Sequence, residues 1–109
     1  MGGKLEKIRH CGEKGKWEKL ESFTKSSDAE IRAAAYEALG NIPKDESNNI
    51  LIAGIADPQP SVRLAVAKAL ARVGTDHNEE QIKHQLAAET DAGVQAALRE
   101  AMIAVRGKR

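Results

Sequence analysis

Apolar side chains recur along this chain at the spacing of one helix face. In the segment 57–74, DPQPSVRLAVAKALARVG, they fall at positions i, i+3, i+4, i+7, i+8 and i+11. The segments 26–43, SSDAEIRAAAYEALGNIP, and 89–107, ETDAGVQAALREAMIAVRG, show the same pattern. This spacing places side chains on one side of an α-helix, whereas a strand would alternate them. Three amphipathic helices are therefore predicted.

These three segments are copies of one repeating unit. The second copy follows the first by 31 residues and the third follows the second by 32, so one residue is inserted between them. A weaker helical stretch precedes each copy: KWEKLESFTKS, ESNNILIAGIA and NEEQIKHQLAAE. The unit is therefore a helix, a turn and a second helix. The predicted organisation is a half repeat at 4–12 followed by repeats at about 16–43, 46–74 and 78–107.

Short helix pairs of this kind predict a stacked fold. A single pair cannot bury its apolar side alone, so it must stack on neighbouring pairs. We therefore predict an all-α, right-handed α–α superhelix in which residues 1–109 form a single domain. Alanine is frequent on the second helices; it has the highest helix propensity and lets neighbouring helices approach closely. Leu39, Leu70 and Met102 are expected to fill the layer between units.

The residues before the second helices are typical of helix starts. Asp28 and Asp91 occupy the N-cap position, where a carboxylate accepts hydrogen bonds from free backbone N–H groups. Gln59 takes that position in the middle copy. Pro60 follows it at the first helical position, where the missing N–H costs nothing.

Composition narrows the choice of partner. Lys and Arg number 17 and Asp and Glu 16, and this balance argues against a dedicated nucleic-acid binder. The single cysteine, Cys11, forms no internal disulfide and fits a reducing compartment. The sequence has no apolar run like that of a signal peptide and no stretch of transmembrane length. We therefore expect a cytoplasmic protein with no membrane partner.

The segment 57–74 also carries a recognisable motif: Asp-Pro-x-Pro-x-Val-Arg, followed by spaced alanines, leucine, an apolar residue and glycine. This motif resembles a HEAT repeat, in particular the short class named after phycobilisome lyases. The resemblance implies a protein-interaction scaffold and a ladder of turn aspartates bonded to helix arginines. Gln59 and Gln95 depart from the pattern, so we expect an incomplete ladder. The residues that would carry this ladder are Asp28, Arg32, Arg63 and Asp91.

The outward positions of the second helices form the predicted binding site. In a stacked solenoid these helices line the concave surface, with small alanines between larger side chains. The sequence therefore predicts a non-enzymatic protein–protein interaction module that binds a partner helix or peptide along a second-helix groove. The alternative is that these are ordinary surface residues, since scattered exposed apolar side chains are normal. The predicted partner-binding residues are Tyr36, Glu37, Leu64, Lys68, Arg72, Arg99 and Ile103.

Three other interpretations stay open. The last helix has little polar surface around Met102, Ile103 and Val105, which suggests a homodimer through the terminal repeat. A basic N-terminal segment suggests contact with nucleic acid, although glutamates are interspersed and no aromatic stacking platform accompanies it. The family resemblance also implies, as an alternative, a non-catalytic subunit of a pigment-lyase-like enzyme. The basic residues in question are Lys4, Lys7, Arg9, Lys14, Lys16 and Lys19.

No catalytic, metal or cofactor site is predicted. His10 and Cys11 are adjacent, and neighbouring residues on a helix do not face each other. His77 and His84 would lie about 10 Å apart along a helix axis, too far to share one zinc ion. Trp17 precedes a core leucine by one turn and is expected in the core or at the N-terminal cap, with a surface hot spot as the alternative.

Overall fold

The chain folds into helices that follow the predicted order. A computed structural model describes residues 3–108, and that part contains no strand. A short 3-10 turn, Asp76–Asn78, precedes α6. The all-helical solenoid predicted from the repeats is confirmed. The helices are α1 Gly3–Glu13, α2 Trp17–Phe23, α3 Ala29–Leu39, α4 Asp45–Ala53, α5 Pro60–Val73, α6 Glu79–Ala88 and α7 Ala92–Arg106.

The helices form two layers. The second helices of the repeats, α1, α3, α5 and α7, stack on one another in chain order. The first helices, α2, α4 and α6, each pack beside their own partner, α3, α5 and α7. The contacts between consecutive second helices are the most extensive in the fold. This layer therefore positions any surface that runs across several repeats.

Small residues explain why the second helices approach so closely. A methyl group placed on Gly12 would lie 3.0 Å from the Cβ of Ala38. One placed on Gly40 would lie 3.0 Å from the Cβ of Ala69, which is the equivalent alanine one repeat later. Larger side chains at these contacts would force the helices apart. The alanine-rich sequence of the second helices thus sets the spacing of the stack.

The core lies between the two layers. Leu39 and Leu70 are fully buried and Met102 is 6% exposed, as the helix pattern predicts. Trp17 is partly buried and packs against this core, which favours the core role over a surface role. Cys11 is buried at the packed side of α1.

The turns before the second helices share one hydrogen-bond pattern. The side chain of Asp28 accepts from the backbone N–H of Glu30, and that of Asp91 accepts from Val94. The side chain of Gln59 makes no such cap bond, and α5 begins with Pro60, which has no backbone N–H to satisfy. Two residues before each cap, another side chain accepts from the backbone N–H of the cap residue. These side chains belong to Ser26, Asp57 and Glu89.

Candidate functional site

Two arginines tie neighbouring repeats together. Arg32 on α3 donates from Nε to Asp57 Oδ2 at 2.9 Å and from Nη2 to Asp57 Oδ1 at 3.0 Å. Arg63 on α5 makes the same paired contact with Glu89, at 2.9 Å to each oxygen. Each guanidinium also donates from Nη1 to a carbonyl of its own loop, that of Ser26 at 3.1 Å or of Asp57 at 2.8 Å. Each arginine therefore bonds to the loop before its own helix and to an acid in the turn of the following repeat.

The ladder prediction was right about the arginines and wrong about the acids. Asp28 and Asp91 were expected to accept from them, but both carboxylates cap their own helices. The acceptors are the acids two residues before the cap position, Asp57 and Glu89, whose location in the turn directs them toward the preceding repeat. Gln95 on α7 occupies the position equivalent to Arg32 and Arg63. Its side-chain amide makes only the hydrogen bond to its own loop, donating to the carbonyl of Glu89 at 2.7 Å.

Both ladder acids are charged at neutral pH. The side chain of Glu89 is fully buried, and burial alone would raise its pKa. Hydrogen bonds from Arg63, from the N–H of Asp91 and from Gln85 outweigh that effect and lower the pKa from 4.5 to about 2. Burial also acts to raise the pKa of Asp57, but the bond from Arg32 brings it below its ordinary value. Both arginines are therefore engaged in contacts between repeats.

A groove runs between α3 and α5 on the outer side of the second-helix layer. It encloses about 370 Å³. Its floor is formed mostly by small or apolar side chains, and its two walls carry opposite charges: Glu37 on α3 faces Lys68 and Arg72 on α5. The α3–α5 groove is lined by Ala33, Glu37, Ser61, Leu64, Ala65, Lys68, Ala69 and Arg72.

The surface continues toward the N-terminal repeat. A second groove of about 490 Å³ lies between α1 and α3, and Glu37 lines both grooves. Leu5 and Arg9 of α1 line its far side, and Asn41, in the turn after α3, lines its near side. Asn41 also accepts a 2.6 Å hydrogen bond from Arg72 across the α3–α5 contact. The two grooves therefore form one corrugated surface over three second helices.

A model of HEAT repeats matches residues 18–103, well over half of the chain. The chain belongs to the HEAT-repeat family. HEAT repeats generally mediate protein–protein interactions and are generally non-catalytic scaffolds. The finer assignment to the phycobilisome-lyase class stays a prediction. A search of curated proteins and a search of solved structures gave no match.

Four of the seven predicted binding residues line the α3–α5 groove of this HEAT-repeat surface. Leu64 is partly buried, whereas the other three are exposed. The sequence also predicted small alanines between the larger side chains, and Ala33, Ala65 and Ala69 line the groove. The four predicted residues in the groove are Glu37, Leu64, Lys68 and Arg72.

Tyr36 was predicted to be exposed in the groove, and this was wrong. Its side chain is 6% exposed and belongs to the core. The ring lies over Gly54, where any Cβ would collide with it. The absence of a side chain at Gly54 leaves room for the tyrosine to point into the stack instead of outward.

Arg99 and Ile103 lie on α7 but not in the α3–α5 groove. Both are exposed. Two of their equivalents in the first repeat contact the following repeat: Tyr36 lies over Gly54, and Gly40 lies against Ala69. The sequence prediction placed all seven residues in one groove and did not separate these two, which lie on another side of the second helices.

The basic N-terminal segment is partly neutralised by its own helix. Arg9 donates to Glu6 and, at 3.3 Å, to Glu13, and all three side chains are exposed. No further arginine lies in that segment. The structure therefore adds no observation in favour of the nucleic-acid alternative.

Among residues 3–108, no three His, Cys, Asp or Glu side chains come together in a way that could hold a metal ion. In the same part of the chain, no helix has both the length and the apolar character needed to cross a bilayer. A wider groove of about 760 Å³ lies between α4 and α6, with Ile52 and Ile55 on one wall and polar α6 side chains on the other.

Proposed function

We propose that this chain is a non-enzymatic interaction module that binds a helix or peptide of a partner protein in the α3–α5 groove. The observation that carries the proposal is the groove itself: an alanine floor with one leucine between walls of opposite charge. The family supports the general role, since HEAT repeats generally mediate protein–protein interactions.

The floor suits an apolar ligand side chain. Ala33, Ala65 and Ala69 leave room because their side chains are short, and Leu64 supplies an apolar contact. Burying one leucine-sized ligand side chain here would contribute about 1.5–3 kcal/mol to binding. The groove therefore supplies affinity through its floor.

The walls supply orientation. Glu37 and Lys68 occupy equivalent positions in consecutive repeats and line opposite sides of the groove. Within residues 3–108 neither side chain makes a hydrogen bond or ion pair, so both can meet charges on a ligand. A ligand helix with a basic residue toward α3 and an acidic residue toward α5 would be bound in one direction. Such complementarity gives specificity and association rate more than raw affinity.

The test compares capture of binding proteins from a native extract by the wild type and by an Ala33→Arg/Lys68→Glu variant. The arginine fills the floor and the glutamate reverses one wall. The matched control is Ala88→Arg/Lys19→Glu, which makes the same two changes at exposed positions of α6 and α2 outside the groove. Circular dichroism must show equal helix content in all three proteins.

We expect a protein that is retained by the wild type and by the control and is lost with the groove variant. Purified, that protein should protect the amides of α3 and α5 from hydrogen exchange. Equal capture by all three chains would refute the groove as the binding site. Turnover of a small-molecule substrate by the purified chain would refute the non-enzymatic role.

A further inference from the structure

One side of α7 carries a stripe that differs from the groove. Gln95, Arg99, Ile103 and Arg106 are spaced four, four and three residues apart, which places them on one side of the helix. Ile103 is 70% exposed, the highest value among large apolar side chains of the described residues. We name these four residues the outer stripe.

Equivalent positions in the earlier repeats are covered by the next repeat. Tyr36 on α3 packs over Gly54 of α4, and Gly40 lies against Ala69 of α5. On α5 the equivalent residue Ala67 is fully buried. Within residues 3–108, no later helix packs on this side of α7, and only Glu79 at the start of α6 reaches the stripe, at Arg106. The outer stripe is therefore the side on which a further unit would dock.

The chemistry of the stripe does not suit another repeat of the same kind. Gln95 replaces the ladder arginines, and its amide is already used within its own loop. Arg99 replaces a buried tyrosine and a buried alanine. A repeat stacked here as α5 stacks on α3 would bury that guanidinium without a ladder acid, and an unpaired buried charge is strongly destabilising.

A second copy of this chain is also disfavoured by charge. Symmetric pairing of two outer stripes would bring Arg99 and Arg106 of one copy against those of the other. Lys7 on α1 is equivalent to Ala38 and Ala69, which face the preceding helix. Head-to-tail stacking would therefore place Lys7 of one copy against the arginines of the other. Like charges placed opposite each other oppose both arrangements.

The charges of the stripe instead match a carboxylate-bearing ligand. Arg99 has no bonded carboxylate in the described chain, and Arg106 already holds Glu79 at 2.7 Å on this side, which shows the type of group that binds here. Ile103 lies one turn from each arginine and offers an apolar contact between them. We infer that the outer stripe docks an acidic amphipathic helix of a partner protein, with an apolar residue over Ile103 and a carboxylate at Arg99. This site is separate from the α3–α5 groove and does not depend on it.

The probe is a pair of synthetic helical peptides of about 18 residues with the same leucine face. One carries glutamates along both edges of that face and the other carries lysines. Each is titrated into the 109-residue chain to about 1 mM while backbone amide NMR signals are followed, at roughly 50 and 500 mM salt. The same titration is run on Arg99→Glu and on Lys19→Glu, a matched charge reversal at an exposed α2 position outside both surfaces.

We expect the glutamate peptide to shift signals around Arg99, Ile103 and Arg106, and to bind roughly tenfold more weakly to Arg99→Glu or at high salt. Lys19→Glu should bind as the wild type does. The inference is overturned if neither peptide binds, if both bind equally, or if the shifts centre on Leu64 and Lys68. The last result would support binding in the α3–α5 groove and refute docking on the outer stripe. The experiment therefore distinguishes failure of one proposal from failure of the other.

Discussion

Replacing Glu89 by glutamine tests the ladder, because the change removes the charge and keeps the size. Arg63 would then face a neutral amide although its side chain is only 13% exposed. Glu89 has its pKa lowered from 4.5 to about 2 in the fold. At about 1.4 kcal/mol per pKa unit, the ionised group contributes about 3 kcal/mol to the free energy of unfolding at neutral pH. That is a large part of the roughly 5–15 kcal/mol expected for a domain.

The pH dependence has a definite sign. Because the folded-state pKa of Glu89 lies below the unfolded value, its contribution is complete above about pH 4.5 and is lost as the pH falls toward 2. The difference in unfolding free energy between wild type and Glu89→Gln should therefore fall from about 3 kcal/mol at pH 7 to about 1.5 kcal/mol at pH 3.

The assay is urea unfolding followed by circular dichroism at both pH values. The double variant Arg63→Met/Glu89→Leu serves as the control, since it removes both charges and should recover much of the loss. A difference below about 0.5 kcal/mol at pH 7, or one that does not shrink at pH 3, would refute the reasoning.

Three further changes probe the packing and the helix starts by thermal or urea unfolding. Leu70→Ala should lower the free energy of unfolding by roughly 2–5 kcal/mol, because the leucine is fully buried; a loss under about 1 kcal/mol would contradict its core position. Gly54→Ala should lower it by about 1–3 kcal/mol through collision with the Tyr36 ring, whereas Gly93→Ala, whose Cβ would meet only Asp91 Oδ1 at 3.2 Å, should change it by less than about 1 kcal/mol; equal effects would argue against the collision. Asp91→Ala should cost about 1 kcal/mol through the lost cap bond to α7, and an unchanged midpoint would show that this bond contributes nothing.

Local pattern predicted most of the helical architecture. The spacing of residues such as Leu39 and Leu70 sets which side of each helix is buried, and periodicity reports that directly. The repeat offset also identifies equivalent positions without a structure. A family resemblance adds little to these two signals at the level of fold, because both already predict stacked helix pairs.

Contacts between repeats could not be predicted in the same way. The burial of Tyr36 depends on Gly54, which lies 18 residues away in the next unit. The ladder acid was misplaced for a similar reason: Asp57 and Asp91 are both turn aspartates, and only the geometry of the turn shows which kind faces the preceding arginine. Arg99 and Ile103 were assigned to the groove because periodicity shows which side of a helix is buried. It does not show which neighbouring helix packs beside each flank of that side.

Site-specific photo-crosslinking tests the central claim most directly. A photoreactive residue is placed at Ser61 within the α3–α5 groove, or at Lys19 outside it, and adducts formed in native extract are identified by mass spectrometry. The groove account predicts a protein adduct from position 61 that is absent from position 19 and disappears when Ala33→Arg fills the floor. Equal adducts from both positions, or an adduct at 61 that survives Ala33→Arg, would contradict it.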